Sequence, residues 1–185
     1  IFCIMHIKDL KKYFFINKFE PSHFFHLNKN ISFIWRNKDK ETHIETLIKL
    51  RNFCKENCRN FYITNEIKLA IKIKSNGVYI PSSNKNLNIR LINYKKEFKI
   101  LGSAHNLKEI KIKELQNVEE IFLSPLFKDK KNSQLNIYRY LNLKKNTSLK
   151  DISLGGINQS NIKKLKFVNP FGFAAISHFN KKKGP

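Results

Sequence analysis

Eight short apolar or β-branched runs, alternating with stretches of helical spacing, predict an α/β protein built as a compact (β/α)8 TIM barrel. Several runs are apolar throughout, as parallel strands buried on both faces are. Helical stretches separate most of them, which argues for parallel strands joined by right-handed crossovers. Two late runs break into glycine or serine, as the last two units of such a barrel do where they hold a phosphate. At 185 residues the chain is shorter than the roughly 250 typical of the fold. A short first helix and a reduced or missing last helix fit that difference.

The first strand falls on Tyr13-Phe14-Phe15-Ile16-Asn17 and leads to a very short helix over 22–27. The second strand, 31–35, precedes a helix over 41–57 in which Ile44, Leu47, Ile48 and Phe53 recur at helical spacing. A third strand at 61–63 and its helix at 67–73 follow, then a fourth strand at 77–80 that ends in small polar residues. Strands at 99–102, 121–123 and 151–154 are each followed by a helix, over 107–115, 137–143 and 161–168. The eighth strand spans 172–176, and no helix is expected after it. No linker interrupts the pattern, so 1–185 reads as one domain, with a barrel core over 12–177 and a basic tail over 178–185.

Thirty-six Lys and Arg against 14 Asp and Glu give a net charge of +22. Such a charge suits a polyanion partner. Here the lysines are spread along the whole chain among many Asn, Ile and Phe, a mixture that A/T-rich coding alone produces. No stacking platform or helix-turn-helix pattern accompanies them, so nucleic acid is not the expected partner. A hydrophobic share of 41% excludes wholesale disorder. Cys3, Cys54 and Cys58 make an odd count; Cys54 and Cys58 would share a helix face, but further zinc ligands at suitable spacing do not follow. Reduced cysteines and the lack of an apolar run of membrane length lead to an expected cytoplasmic location. The chain does not begin with Met, so its start is open to trimming or misassignment.

Chemistry in a parallel barrel collects where strands end and loops begin. Leu154-Gly155-Gly156-Ile157 closes the seventh strand and Gly172-Phe173-Ala174-Ala175-Ile176-Ser177 the eighth. A glycine pair lets backbone N–H groups approach a ligand, and Asn158 or Ser160 can cap the helix that follows. Free N–H groups at a helix start suit a phosphate, although two buried strands with tight turns would read the same way. Arg36 and Lys38 follow the second strand; they can clamp an anion or form a solvated basic loop. Ser103-Ala104-His105-Asn106-Leu107 closes the fifth strand, where His105 is either a general acid–base or a helix-cap histidine. Ser124-Pro125-Leu126-Phe127 leads into Lys128-Asp129-Lys130-Lys131, lysines able to fold over a phosphorylated ligand.

In this order and spacing, Gly77-Val78-Tyr79-Ile80, Gly102 to Leu107, Ser124 to Phe127, Leu154 to Ile157 and Gly172 to Ser177 resemble the thiamine-phosphate synthase/TenI superfamily. The resemblance covers nearly the whole chain, from Tyr13 to Ser177. It implies a (β/α)8 barrel with thiazole phosphate bound at its C-terminal face. Gly155, Gly156 and Ser177 would hold the phosphate, Arg36, Lys38 and Lys130 the remaining anionic groups, and Ser103 and His105 would act on the ligand.

Two activities share that barrel. The synthase joins a pyrimidine diphosphate to thiazole phosphate and releases pyrophosphate with the help of Mg²⁺. The TenI-type tautomerase isomerises a thiazole carboxylate phosphate by proton transfer. Against the synthase pattern Gln-x-Arg-x-Lys, this chain has Ile34 in place of Gln and keeps Arg36 and Lys38. The Asn-Asp pattern after strand three is Thr64-Asn65, the second metal Asp aligns with Asn84, and the usual His on strand four is Tyr79. With both carboxylates replaced by amides, weak Mg²⁺ binding is expected and no metal ligand is assigned. The tautomerase branch needs no such metal: its Leu-Pro-Ser is close to Ile80-Pro81-Ser82, and its Ser-x-His matches His105. The resemblance thus implies a thiamine-biosynthesis enzyme, either a divergent synthase-type transferase or a metal-free tautomerase. Its partners would be a phosphorylated thiazole and a pyrimidine diphosphate, with homo-oligomerisation open. The alternative is a non-catalytic binder of phosphorylated ligands or a basic nucleic-acid-associated protein.

Overall fold

The computed structural model describes residues 7–36, 44–92, 94–127, 136–176 and 178–179. Eight strands close in sequence order into a barrel in which every neighbouring pair is parallel. They are β1 (Lys11–Ile16), β2 (Ile31–Trp35), β3 (Phe61–Thr64), β4 (Gly77–Ile80), β5 (Lys99–Ala104), β6 (Glu120–Leu123), β7 (Lys150–Leu154) and β8 (Gly172–Ala175). The helices are α1 (Pro21–Phe25), α2 (Ile44–Glu56), α3 (Ile67–Lys72), α4 (Leu107–Leu115) and α5 (Asn136–Lys145). Two 3₁₀ segments, Leu87–Leu91 and Ile162–Phe167, replace α-helices after β4 and β7. Only α1 is as short as expected, at five residues; the 3₁₀ segment after β4 was not foreseen, and the expected helix over 161–168 is a tighter 3₁₀ coil.

The strand period of two separates two cores. Tyr13, Phe15, Ile34, Tyr62, Tyr79, Leu101, Phe122, Ile152 and Ala174 fill the barrel interior. Aromatic rings replace the branched aliphatic residues common in such interiors. Tyr13, Phe15 and Tyr79 all set edges against neighbouring rings, with Phe122 5.0 Å from Tyr13 and 5.2 Å from Tyr79. The alternate residues, among them Phe14, Phe33, Phe61, Ile63, Val78 and Ile100, pack outward against the helices.

On α2, Leu47, Leu50, Phe53 and Cys54 are buried, whereas Ile44 and Ile48 are exposed, so the buried stripe is narrower than the sequence spacing indicates. The helix stops at Glu56, and Cys58 lies beyond it in the left-handed region (φ 53°) and exposed. The expectation that Cys54 and Cys58 share a helix face is therefore corrected. Burial pushes the Cys54 thiol up to about 12, partly opposed by Arg59. Past β8, Phe179 is buried against Phe14 and Phe173, at 5.5 and 5.8 Å, so the outer core extends beyond the last strand. None of the helices among the described residues is long and apolar enough to cross a membrane.

Candidate functional site

The two ends of the barrel interior carry different charges. At the N-terminal end, Glu120 on β6 is buried. Lys11 lies 2.5 Å from its carboxylate and Lys99 3.9 Å. The Tyr13 hydroxyl donates to the other Glu120 oxygen. Burial, the Tyr62 hydroxyl and the Glu120 charge hold the Tyr13 phenol far above its ordinary range, so it stays a donor. At the C-terminal end Arg36, just past β2, stacks its guanidinium 4.2 Å from the centre of the Phe15 ring. No carboxylate among the described residues forms an ion pair with it.

Arg36 sits over a small set of hydroxyls. The Tyr79 phenol is raised by burial, against the lowering effects of a hydrogen bond with Ser103 and of the Arg36 charge. The Ser103 hydroxyl also accepts from the Ser82 backbone N–H at 3.0 Å. The Thr64 hydroxyl at the end of β3 is buried and has no hydrogen-bond partner among the described residues. Arg36 and Ser103, inferred from strand ends, thus share one mouth with Tyr79. Thr64 stands at the first position of the family's Asn-Asp pattern without having been given a role, and Phe15 was missed as a contributor, since an apolar strand residue carries no sequence signal of a site.

Beside this mouth, Asn65 and Asn84, the positions aligned with metal carboxylates, meet each other. The Asn84 amide donates to the Asn65 side-chain oxygen at 2.5 Å. Asn65 is in the left-handed region (φ 67°), which asparagine tolerates better than most residues. Asn84 accepts from the Asn86 N–H and Asn86 from the Asn88 N–H, both at 2.9 Å. These four asparagines line a groove of about 330 Å³ with Ile89 and Ile92. Glu66 adds one carboxylate to its lining. No cluster of three or more His, Cys, Asp and Glu occurs among the described residues. A donor set of amides already bonded to one another does not fit a carboxylate-held Mg²⁺.

The loop carrying Asn84 is held from behind by α4. Lys113, fully buried, donates to the carbonyls of Pro81 (2.9 Å) and Asn84 (2.8 Å) and to the Gln116 side-chain oxygen (2.8 Å). Gln116 in turn donates to the Asn84 and Asn86 carbonyls, at 3.1 and 3.0 Å. Burial pushes the Lys113 ammonium down to about 8, and the Glu109 carboxylate opposes that shift. Gly102 makes room for the lysine stem and for Val118, because a Cβ there would lie 2.9 Å from both Lys113 Cδ and Val118 Cγ2. Gly102 therefore faces α4 from within β5.

His105 begins the turn into α4. Asn106 caps the helix by accepting from the Glu109 N–H at 3.0 Å, and Glu109 returns bonds to the His105 N–H (2.7 Å) and ring Nδ1 (2.9 Å). Burial alone would raise the Glu109 carboxyl, but the His105 bonds and charge and the Asn106 amide bring it below its ordinary range. His105 is exposed and lines a separate cavity of about 420 Å³ with Arg139 and Asn142 of α5. The described geometry does not bring it to Arg36 and Ser103.

After β7, Gly155 (φ 96°) and Gly156 (φ 67°) turn in a conformation that favours glycine. A Cβ on Gly155 would lie 2.7 Å from Pro125 Cα, so the β7 turn seats against the loop that follows β6. Asn158 and Asn161 tie the turn together: Asn161 donates to the Gly156 carbonyl at 2.7 Å, and Asn158 accepts from the Ser160 N–H at 2.9 Å. Lys38, Lys130 and Ser177 lie outside the described residues.

The thiamine monophosphate synthase family (TMP-TENI) matches residues 28–179. A thiamine-phosphate synthase from Pelagibacter ubique is 30% identical over 169 residues, covering 85% of this chain and 80% of that protein. One from Prochlorococcus marinus is 29% identical over 137 residues; the match covers 70% of this chain but only 38% of the relative's length. Among solved structures, a thiamine phosphate pyrophosphorylase from Pyrococcus furiosus superposes with a TM-score of 0.74 at 15% identity, covering 91% of this chain and 86% of that one. At such identity the superposition speaks for the barrel alone, while the sequence match over most of the chain places it in the thiamine monophosphate synthase family.

Proposed function

We propose that the chain is a divergent thiamine-phosphate synthase-type transferase, working on a thiazole phosphate and a pyrimidine diphosphate at the C-terminal mouth of the barrel. The observation that carries this reading is the 2.5 Å amide contact between Asn65 and Asn84. The two positions that flank a metal-bound diphosphate in the family still meet at one edge of the mouth, beside Arg36 and Ser103. Gly155, Gly156 and Ser177 would take the thiazole phosphate. Arg36 would take the diphosphate, with Lys38 and Lys130 as further cations. As the thiazole bonds to the carbon that carries the diphosphate, the C–O bond there breaks, pyrophosphate departs and charge gathers on the leaving oxygens. A guanidinium held on the Phe15 face, with no carboxylate among the described residues paired to it, is suited to stabilise it. Ser103 would orient the diphosphate through its hydroxyl.

Mg²⁺ is not assigned a step, since Asn65 and Asn84 supply no charge to hold it. The test is formation of thiamine phosphate from the two substrates with Mg²⁺ and with chelator. Asn65→Asp combined with Asn84→Asp is expected to make turnover respond to Mg²⁺ more strongly than in the wild type. Strong Mg²⁺ dependence in the unmodified protein, or no product under any condition, overturns this reading. The tautomerase reading is favoured by one observation, the fixing of His105 Nδ1 by Glu109, which leaves Nε2 available for proton transfer. Loss of thiazole carboxylate phosphate isomerisation in His105→Gln, with ligand affinity kept, would decide for it.

A further inference from the structure

We infer that Lys113 and Gln116 are positioning residues for the diphosphate substrate, acting through the loop of residues 81–86; this rests on the transferase reading above. Neither side chain reaches the mouth. Between them they hold carbonyls of Pro81, Asn84 and Asn86 in four hydrogen bonds of 2.8–3.1 Å, and one further bond, Lys113 to Gln116, joins the two.

The consequence lies on the other side of the loop. With its carbonyls held inward, the loop sends the Asn84 side chain to Asn65 and leaves each asparagine oxygen to receive the N–H two residues on. The Ser82 N–H meets the Ser103 hydroxyl in the same stretch. The loop thus links Ser103, the Asn65–Asn84 pair and the groove wall, and α4 sets its height above the barrel. A buried ammonium is a costly way to hold a surface loop, because its desolvation must be offset by every acceptor it meets. An apolar residue packed beneath Gly102 would serve stability alone equally well. The lysine does what an apolar residue cannot: it fixes where two carbonyls lie, and with them the direction of the asparagine side chains.

The experiment measures binding of a pyrimidine diphosphate and of thiazole phosphate separately by calorimetry, in the wild type, Lys113→Met and Gln116→Met. The thiazole phosphate is assigned to the β7–β8 side, which neither residue touches. The expected result is a loss of tenfold or more in diphosphate affinity, with thiazole phosphate affinity kept within twofold. Gly102→Ala, which crowds the lysine stem and Val118 without removing the lysine's charge, is expected to shift diphosphate affinity in the same direction by a smaller factor. If Lys113→Met fails to fold, Gln116→Met decides on the same criterion. Equal losses for both ligands, or no loss for either, overturn the positioning role and leave the transferase reading standing. A wild type that binds neither ligand overturns both.

Discussion

The two ends of this barrel hold charge by different means. At the N-terminal end, Glu120 is met by Lys11 and Lys99 and by the Tyr13 hydroxyl, so charge answers charge within the fold. At the C-terminal end, Arg36 rests on the Phe15 ring, and Lys113 is held by carbonyls and a glutamine oxygen. Neutral dipoles and a ring face hold a cation in place without cancelling its field. The base pairs its charge within the fold, while at the mouth no carboxylate among the described residues forms an ion pair with Arg36. That division matches the separation of stability from chemistry between the two faces of parallel barrels.

The largest expected effect breaks the comparison through pH. Lys113 has a folded-state pKa near 8 against an ordinary value of 10.5. Between these values the unfolded chain binds more protons than the folded one, so stability rises as pH rises through the window. The full linkage would be roughly 3 kcal/mol. Denaturant titrations at pH 7.5 and 10.5 should show this gain for wild type relative to Lys113→Met, in which this contribution to the slope is absent. Parallel slopes in the two proteins would mean that the carbonyls fully offset the burial of the ammonium.

At the other end, Lys11→Met removes the nearest cation from a buried carboxylate and leaves Tyr13 and the more distant Lys99. A loss of about 2 kcal/mol in unfolding free energy is expected, with phosphate-ligand affinity unchanged. Arg36→Met should give the converse: about a tenfold loss of affinity for inorganic pyrophosphate and an unaltered melting temperature. A fall in ligand affinity in Lys11→Met, or in stability in Arg36→Met, would show that the two ends are not separate in function.

The barrel was legible because its strands are short, nearly continuous apolar runs, as strands buried on both faces are, separated by stretches of helical spacing. The strand positions at 31–35 and 77–80 coincide with those expected, as does the helix over 107–115. The connection after β4 was not legible, because Leu87–Leu91 forms a 3₁₀ turn capped by Asn86 rather than a periodic helix. Of the candidate site, Arg36 and Ser103 could be read from strand ends, while Asn65 and Asn84 stood out only through the resemblance to the family. Lys113 and Gln116 could not, since a lysine on a short helix of a very basic chain reads as a solvated face. The signal that could have pointed to Lys113 is Gly102, whose missing Cβ leaves space that the lysine stem and Val118 share. His105 was placed correctly at a strand end, but its geometry followed from a capping partner four residues away.

That partner gives the smallest and most discriminating prediction. Glu109 is a carboxylate at the rim, held by the His105 N–H and ring and by the Asn106 amide, and these bonds bring its pKa below the ordinary value. A carboxylate depressed in the folded state contributes stability above its unfolded pKa, and that contribution is lost as pH falls through the lower folded value. Glu109→Gln should therefore destabilise the protein by about 0.5 kcal/mol at neutral pH and flatten the acid limb of its stability curve. The same variant loosens His105 Nδ1 while leaving Arg36, Ser103 and the asparagine groove in place. Under the transferase reading, product formation in Glu109→Gln should stay within twofold of wild type. If His105 instead carries proton transfer, the loss of its orienting carboxylate should lower isomerisation of the thiazole carboxylate phosphate with binding intact. One substitution, assayed for both reactions, thus separates a histidine that caps a helix from one that works on the ligand.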